Sequence, residues 1–381
     1  MRILACVHEA PAHPLNGFGL QLIEVFDRLA SRHDVRVVTY EPPPGRALER
    51  DYLSLVARRR LGVRSSLRRA GGAAAGLRDP LRAALRERRP DVVHVSSGRI
   101  ARLGRELDGA PSVLAALDAW HLNVAAKAAV ASGPRRVLLA LEERRVRSFI
   151  ATEYRRFDGV SVVTPEDADA LKEVDPALRP VVIPNGVDAE AYAPDGSVAP
   201  EPAAVVFSGA MDYAPNEAAA AFLAEAVMPA VWESVPRARL YLVGRNPSDR
   251  VAPLARDERV TVTGEVDAMG PWLNRAAVYA CPMVSGTGIK NKLLEALACA
   301  APAVCTPLAC RGLSAVPGEH LAVANDAASL AAAIVRLLSD RDEARALGDA
   351  GRRYVLENHS WGATARAYER LYEEIADRRG T

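Results

Sequence analysis

Val278-Tyr279-Ala280-Cys281-Pro282-Met283-Val284-Ser285-Gly286-Thr287-Gly288-Ile289-Lys290-Asn291-Lys292-Leu293-Leu294-Glu295-Ala296 reads as a strand, a glycine-bearing turn and a helix in direct succession. A strand from Val278 ends near Cys281, and the helix is expected to run to about Ala300. Free amides in a first helical turn and the positive end of the helix dipole favour an anion there. Lys290 and Lys292 add positive charge, so a diphosphate fits. Ile289, Leu293, Ala296, Leu297 and Ala300 form one apolar stripe. Thr287, Asn291 and Glu295 run down the other side, where a carboxylate can accept two hydrogen bonds from a diol such as a ribose. A plain glycine turn with solvated Glu and Lys side chains fits the same letters.

Outward from this segment, short Val- and Ile-rich runs alternate with longer amphipathic stretches, the pattern of parallel sheets covered by helices. Ile3–Val7, Val35–Thr39, Val92–Val95, Val113–Leu117, Val160–Val163 and Val181–Ile183 form one set of expected strands. Ala204–Phe207, Leu240–Val243, Val260–Val262, Val278–Ala280, Ala303–Cys305 and Leu321–Val323 form another, with helices such as Asn216–Glu233 between them. Ala191–Pro202, with three prolines and an Asp-Gly pair, reads as a linker. The expected fold is therefore α/β, with two Rossmann-like doubly wound domains facing across a cleft. The boundaries expected are 1–195 and 196–358, with a terminal helical segment 359–381. Open parallel sheets bind ligands at the carboxyl ends of their strands, which puts the expected site in that cleft.

Composition agrees with two globular domains. The chain has 381 residues, 49% of them apolar and 25% charged, which excludes collagen-like and largely disordered classes. A net charge of +2 argues against nucleic acid as a partner. The five cysteines sit mostly inside apolar runs and show no metal-ligand spacing, as expected of small buried hydrophobes in a reducing compartment, and no metal is expected. Met1–Val7 is too short for a signal-peptide core, and no run reaches the roughly 18 apolar residues of a spanning helix. The expected location is the cytoplasm, at most peripheral at the inner face of a membrane. Arginines crowd the stretch from Arg46 to Arg89. Weak contact with an anionic membrane is one reading of it, and a solvated helical face is the other.

Three further features draw the eye. Asn16-Gly17-Phe18-Gly19 follows the first strand and opens a helix, a second candidate anion site at Gly17 and Gly19. Pro184-Asn185-Gly186-Val187-Asp188 is a turn whose glycine permits close backbone approach. Asp118 and His121 follow the strand Val113–Leu117 and are expected to project from its carboxyl end as catalytic or acceptor-binding groups. A capping Asp and a surface His are the plainer alternative.

Together these residues resemble glycosyltransferase family 4, whose members are retaining enzymes of the two-domain GT-B architecture. In the first half the likeness lies in Asp158–Thr164 and Pro184–Asp188. In the second half it continues through Phe207–Tyr213 with Pro215-Asn216, Leu242–Gly244, Val262–Val266 and Gly286–Ala298. The resemblance implies that the chain takes a nucleotide-diphosphate sugar, UDP ahead of GDP or dTDP, with no metal and no further cofactor. A hydroxyl of a glycan, lipid-linked or small-molecule acceptor would receive the sugar. Glu295 matches the second of the family's paired glutamates and would bind the donor ribose, whereas Thr287 stands where the first is usual. The Arg and Lys that many members carry after the first strand of the second domain are missing, since Ala210, Met211, Pro215 and Asn216 occupy that region. The donor set implied is Gly17, Gly19, Gly209, Gly264, Val266, Gly286, Thr287, Gly288, Ile289, Lys290, Asn291 and Glu295. Lys290 is the implied stabiliser of the leaving phosphate, and Asp118 or His121 would orient the sugar or the acceptor. The terminal helix would cross back onto the first domain. A nucleotide-sugar epimerase of the same architecture and a non-catalytic nucleotide-sugar-binding protein remain as alternatives.

Overall fold

The computed structural model describes residues 1–9, 11, 17–40, 48, 50–53, 55–57, 72–129, 131–286 and 288–380. The chain divides into two compact units, Met1–Asn185 with Trp361–Thr381, and Gly186–Ser360.

The first unit is built on β1 (Arg2–Val7), β2 (Asp34–Tyr40), β3 (Leu55–Ala57), β4 (Val92–Ser96), β5 (Ser112–Leu117), β6 (Gly159–Val162) and β7 (Val181–Val182). All pair in parallel, in the order β3-β2-β1-β4-β5-β6-β7. Five consecutive residues of β1, Ile3 to Val7, are buried, because helices cover both faces of the sheet and leave no solvent side for alternation. On one face the helix Gly17–Ala30 sets Leu22, Phe26 and Leu29 at helical spacing against the strands. The helix Trp361–Gly380 adds Trp361, Tyr368, Leu371, Tyr372 and Ile375 to that same cluster. Each such side chain contributes about 1.5–3 kcal/mol by leaving water.

The edge strand β3 was not expected from the sequence. Only three residues long, it lies in the Arg-rich stretch, where Arg58-Arg59-Arg60 masks the short apolar run beside it. The stretch is therefore not one helical face: after β3, a 3₁₀ turn at Gly72–Leu77 leads into the helix Arg78–Glu87. Arg78 and Arg82 both pair with the buried carboxylate of Glu106. Arg46, Arg58–Arg60, Arg68 and Arg69 lie outside the described residues.

The second unit holds β8 (Ala204–Ser208), β9 (Arg239–Val243), β10 (Val260–Val262), β11 (Val278–Cys281), β12 (Ala303–Cys305) and β13 (Ala322–Val323). These too are parallel, ordered β10-β9-β8-β11-β12-β13. The helix expected over Asn216–Glu233 runs from Ala214 to Ser234 and widens into a π-turn at Leu223–Val227. Pro229 explains the widening, because it has no N–H to close the preceding turn.

The division falls at Asn185–Gly186 rather than near 195, because residues 188–201 are stitched to the second unit. The Asn274 side chain accepts from the Asp195 amide at 2.9 Å and donates to the Ala193 carbonyl at 3.0 Å. The Glu201 amide donates to the Arg275 carbonyl. The return crossing at Ser360–Trp361 runs beside the outward one, with Val187 N–H bonded to the His359 carbonyl at 3.0 Å. Among the described residues, no helix is long and apolar enough to cross a membrane.

Candidate functional site

In a doubly wound sheet the crevice lies where the strand order reverses, between β8 and β11 in the second unit. Glycines in left-handed or otherwise glycine-favouring conformations line the strand ends there. Gly209 follows β8 with φ +148°, Gly244 follows β9 with φ +151°, and Gly264 follows β10 with φ +71°. A Cβ on Gly244 would stand 1.8 Å from the Gly209 carbonyl oxygen, so only glycine lets these two turns touch. The Gly209 amide donates to the Val243 carbonyl and Met211 N–H to the Arg245 carbonyl, which fixes the first turn against the second. Val266, two residues past Gly264, is partly buried.

After β11 the turn expected from the sequence is present. Gly286 has φ +111° and Gly288 φ +65°. Thr287 lies outside the described residues. Lys290 stands at the position before the helix Asn291–Ala298, which is shorter than expected: Ala300 sits past its end at φ +56° and is not part of the helical stripe. Ile289, Leu293, Ala296 and Leu297 are buried as the stripe requires. Asn291 and Glu295 are partly buried on the other side, joined by Lys292.

The two lysines are placed differently. Lys290 turns its ammonium back to donate to the Gly288 carbonyl at 2.7 Å, on its own turn. Lys292 reaches across to β8, donating to Asn216 Oδ1 and lying 4.7 Å above the Phe207 ring. Burial pushes the Glu295 carboxyl up to about 7, with Lys292 opposing the shift. Burial likewise lowers the Lys292 ammonium to about 8, offset in part by Cys281 and Glu295.

The remaining residues of the implied set belong to the first unit. Gly17 and Gly19 lie in the first turn of the helix Gly17–Ala30, the former exposed and the latter buried. Asp118 follows β5, is partly buried and accepts from Asn123 Nδ2 at 2.5 Å. His121 does not project as expected. The helix Trp120–Ala129 turns His121 and Val124, three residues apart, inward as its buried face. Among the described residues neither ring nitrogen has a hydrogen-bond partner. Burial, reinforced by Arg147, lowers its pKa to about 4, so the ring is neutral at pH 7.

The carboxyl ends of β4 and β5 are strained. Ser97 has φ +96° and Leu117 φ +70°, conformations that cost non-glycine residues on the order of 1–3 kcal/mol. Asp167 holds the second of these ends, its carboxylate accepting from the Ala119 amide at 2.9 Å and from the Thr164 hydroxyl at 2.6 Å.

The structure thus brings Gly209, Gly264, Gly286, Gly288, Lys290, Asn291 and Glu295 to the strand ends of one sheet. Lys292 and Asn216 join them, though the implied set omits both. The spacing carries a signal for Lys292, since it precedes Glu295 by three residues and shares its helix face. Nothing in the sequence pairs Asn216 with Lys292 across 76 positions.

Comparison with known proteins bears on this geometry. Residues 15–191 match the family described as Glycosyltransferase Family 4, and residues 202–340 match that described as Glycosyl transferases group 1. The chain is 31% identical over 205 residues to a phosphatidyl-myo-inositol mannosyltransferase of Mycobacterium leprae, a match that covers 51% of this chain and 54% of that protein. The chain therefore spans about half the length of this curated relative. Among solved structures it resembles sucrose-phosphate synthase of Thermosynechococcus elongatus, with a TM-score of 0.76 at 20% identity over 98% of this chain and 99% of that one. It also resembles Anabaena HepE in complex with UDP and glucose, with a TM-score of 0.71 at 14% identity over 98% and 99% of the chains. These likenesses show the two-domain GT-B fold.

Proposed function

This chain belongs to glycosyltransferase family 4, and from that premise we propose that it is a retaining, metal-independent sugar transferase using a nucleotide-diphosphate donor. UDP stands ahead of GDP or dTDP as the carrier, supported by HepE, whose fold this chain shares and whose structure holds UDP. The acceptor is a hydroxyl of a glycan, a lipid-linked saccharide or a small molecule.

One observation carries the reading: the turn Gly286–Lys290 leads into a helix that sets Glu295 one turn below its amino end, at the strand-order reversal of the sheet. Amides and the helix dipole suit a diphosphate at the top of that helix, and a carboxylate lower down suits the ribose diol. During transfer the acceptor oxygen bonds to the anomeric carbon on the face from which the diphosphate departs with the electrons of the broken bond, and the proton of the acceptor hydroxyl passes to the departing phosphate oxygen. Charge builds on that phosphate, so preorganised donors around it supply the main stabilisation. Asp118, at the strained end of β5, is the first-unit group proposed to orient sugar or acceptor.

The test is incubation of the full chain with UDP-, GDP- and dTDP-sugars plus EDTA, following release of the nucleoside diphosphate. Turnover that survives EDTA, and a product with the donor's anomeric configuration by NMR, is the expected result. Absence of both turnover and nucleotide binding would overturn the reading, and inversion of configuration would overturn its stereochemical part.

A further inference from the structure

The loop after β8, together with the first residues of the helix Ala214–Phe222 as far as Asn216, contains no Lys, Arg or His. A diphosphate at the strand-order reversal would meet no cation from that side. Yet an ammonium is there, arriving from another element. Lys292 Nζ donates to Asn216 Oδ1, and a Cβ built on Gly209 would stand 2.5 Å from Nζ and 2.6 Å from Asn216 Nδ2. Lys292 Nζ and Asn216 Nδ2 thus fill the space that a side chain at residue 209 would take.

The orientation is set rather than incidental. Asn216 Nδ2 donates to the Ala210 carbonyl at 2.9 Å, which turns its Oδ1 toward Lys292. The Phe207 ring face supports the ammonium from below at 4.7 Å. Lys292 feels the Glu295 carboxylate one turn along its own helix, but its ammonium makes its hydrogen bond to Asn216 on the neighbouring element. Lys290, by contrast, is engaged by the Gly288 carbonyl.

We propose that Lys292 is the cation for the donor diphosphate, carried from the Glu295 helix to the end of β8 beside Gly209, with Asn216 as its positioning residue. The inference rests on the donor-site reading above and assigns one subsite within it. Lys292 would hold the phosphate farther from the nucleoside, which accumulates charge as the sugar departs.

The experiment is calorimetric titration of the full chain with UDP, GDP and dTDP and with the matching monophosphates. The proteins are wild type, Lys292→Gln and the exchanged pair Asn216→Lys with Lys292→Asn, each checked by its ligand-free melting temperature. Lys292→Gln is expected to cut the preference for diphosphate over monophosphate roughly 10- to 100-fold, as for loss of one charge-assisted contact. The exchanged pair, which returns an ammonium to the same place beside Gly209 from the other side, is expected to restore most of that preference. An unchanged preference in Lys292→Gln overturns the assignment while leaving the donor site standing. A folded exchanged pair that restores nothing overturns it as well, including where Lys292→Gln alone fails to fold. Failure of the wild type to bind any of the three diphosphates overturns the donor-site reading itself.

Discussion

His94 Nδ1 and the Tyr372 hydroxyl share a 2.6 Å hydrogen bond in the core of the first unit, 278 positions apart in the chain. The other ring nitrogen of His94 bonds Ser96 Oγ at 2.7 Å, and Phe26, Tyr368 and Tyr372 pack around the ring. Replacing Tyr372 by Phe leaves a buried nitrogen without its partner and is expected to cost about 1–3 kcal/mol. Tyr372→Ala removes the ring as well and is expected to cost about 3–5 kcal/mol. Urea unfolding of the two variants checks both the order and the size of these effects.

The same histidine gives the first unit a defined response to acid. Burial holds His94 down at about 3, against 6.5 in an exposed chain. Between those values the unfolded state binds the proton and the folded state does not. Stability is therefore intact above about pH 6.5 and falls below it, by about 1.4 kcal/mol per pH unit from this group alone. His94→Asn is expected to flatten the slope between pH 4 and 6.5, and a slope equal to wild type would reject the assignment.

Glu295 runs the opposite way. Its folded pKa is raised from 4.5 to about 7, so the folded state holds the extra proton across that interval and stability declines as pH rises through it. Glu295→Gln is expected to stabilise the protein at pH 8 by about 1–3 kcal/mol while abolishing nucleotide affinity. A melting-temperature series with and without UDP reads both effects, and a variant that still shifts with UDP would remove the ribose role.

Two glycine-related substitutions test the backbone directly. Ala300 closes the Asn291–Ala298 helix at φ +56°, with Ala301 N–H reaching the Ala296 carbonyl at 3.0 Å. Ala300→Gly is expected to stabilise by about 1 kcal/mol, visible as a raised melting temperature, because glycine takes that conformation without strain.

Gly244→Ala forces a methyl into the Gly209 carbonyl and is expected to cost several kcal/mol, on the order of a severe core substitution. Urea unfolding reads the loss, and an alanine tolerated within ~0.5 kcal/mol would show that the two turns do not touch as described.

Much of this was legible beforehand, for identifiable reasons. Continuous apolar runs such as Ile3–Val7 and Val278–Ala280 admit only strands buried on both faces, and alternation with helices then dictates parallel order. The glycine turn before Glu295 was legible because few residues tolerate its backbone angles. The rest escaped because it depends on distance in space. β3 is three residues beside a run of arginines, and its strand character comes from pairing with β2 rather than from its letters. His121 reads as a polar group at a strand end, yet helix phase turns it inward. Lys292 looks interchangeable with Lys290 until Asn216 and Phe207 are brought beneath it.

The paired crossings at Asn185–Gly186 and Ser360–Trp361 have a consequence for biosynthesis. Chains emerge from the ribosome amino end first, and domains generally fold in that order. Here the sheet that begins at Arg2 has only the helix Gly17–Ala30 in this cluster until residues 361–380 have been translated, by which time all of the second unit has already been synthesised. The domain started first is the one completed last. In the interval the cluster around Ile3, Ala5 and Phe26 lacks Trp361, Tyr368 and Tyr372, so nascent chains stalled short of Trp361 would be clients for chaperones.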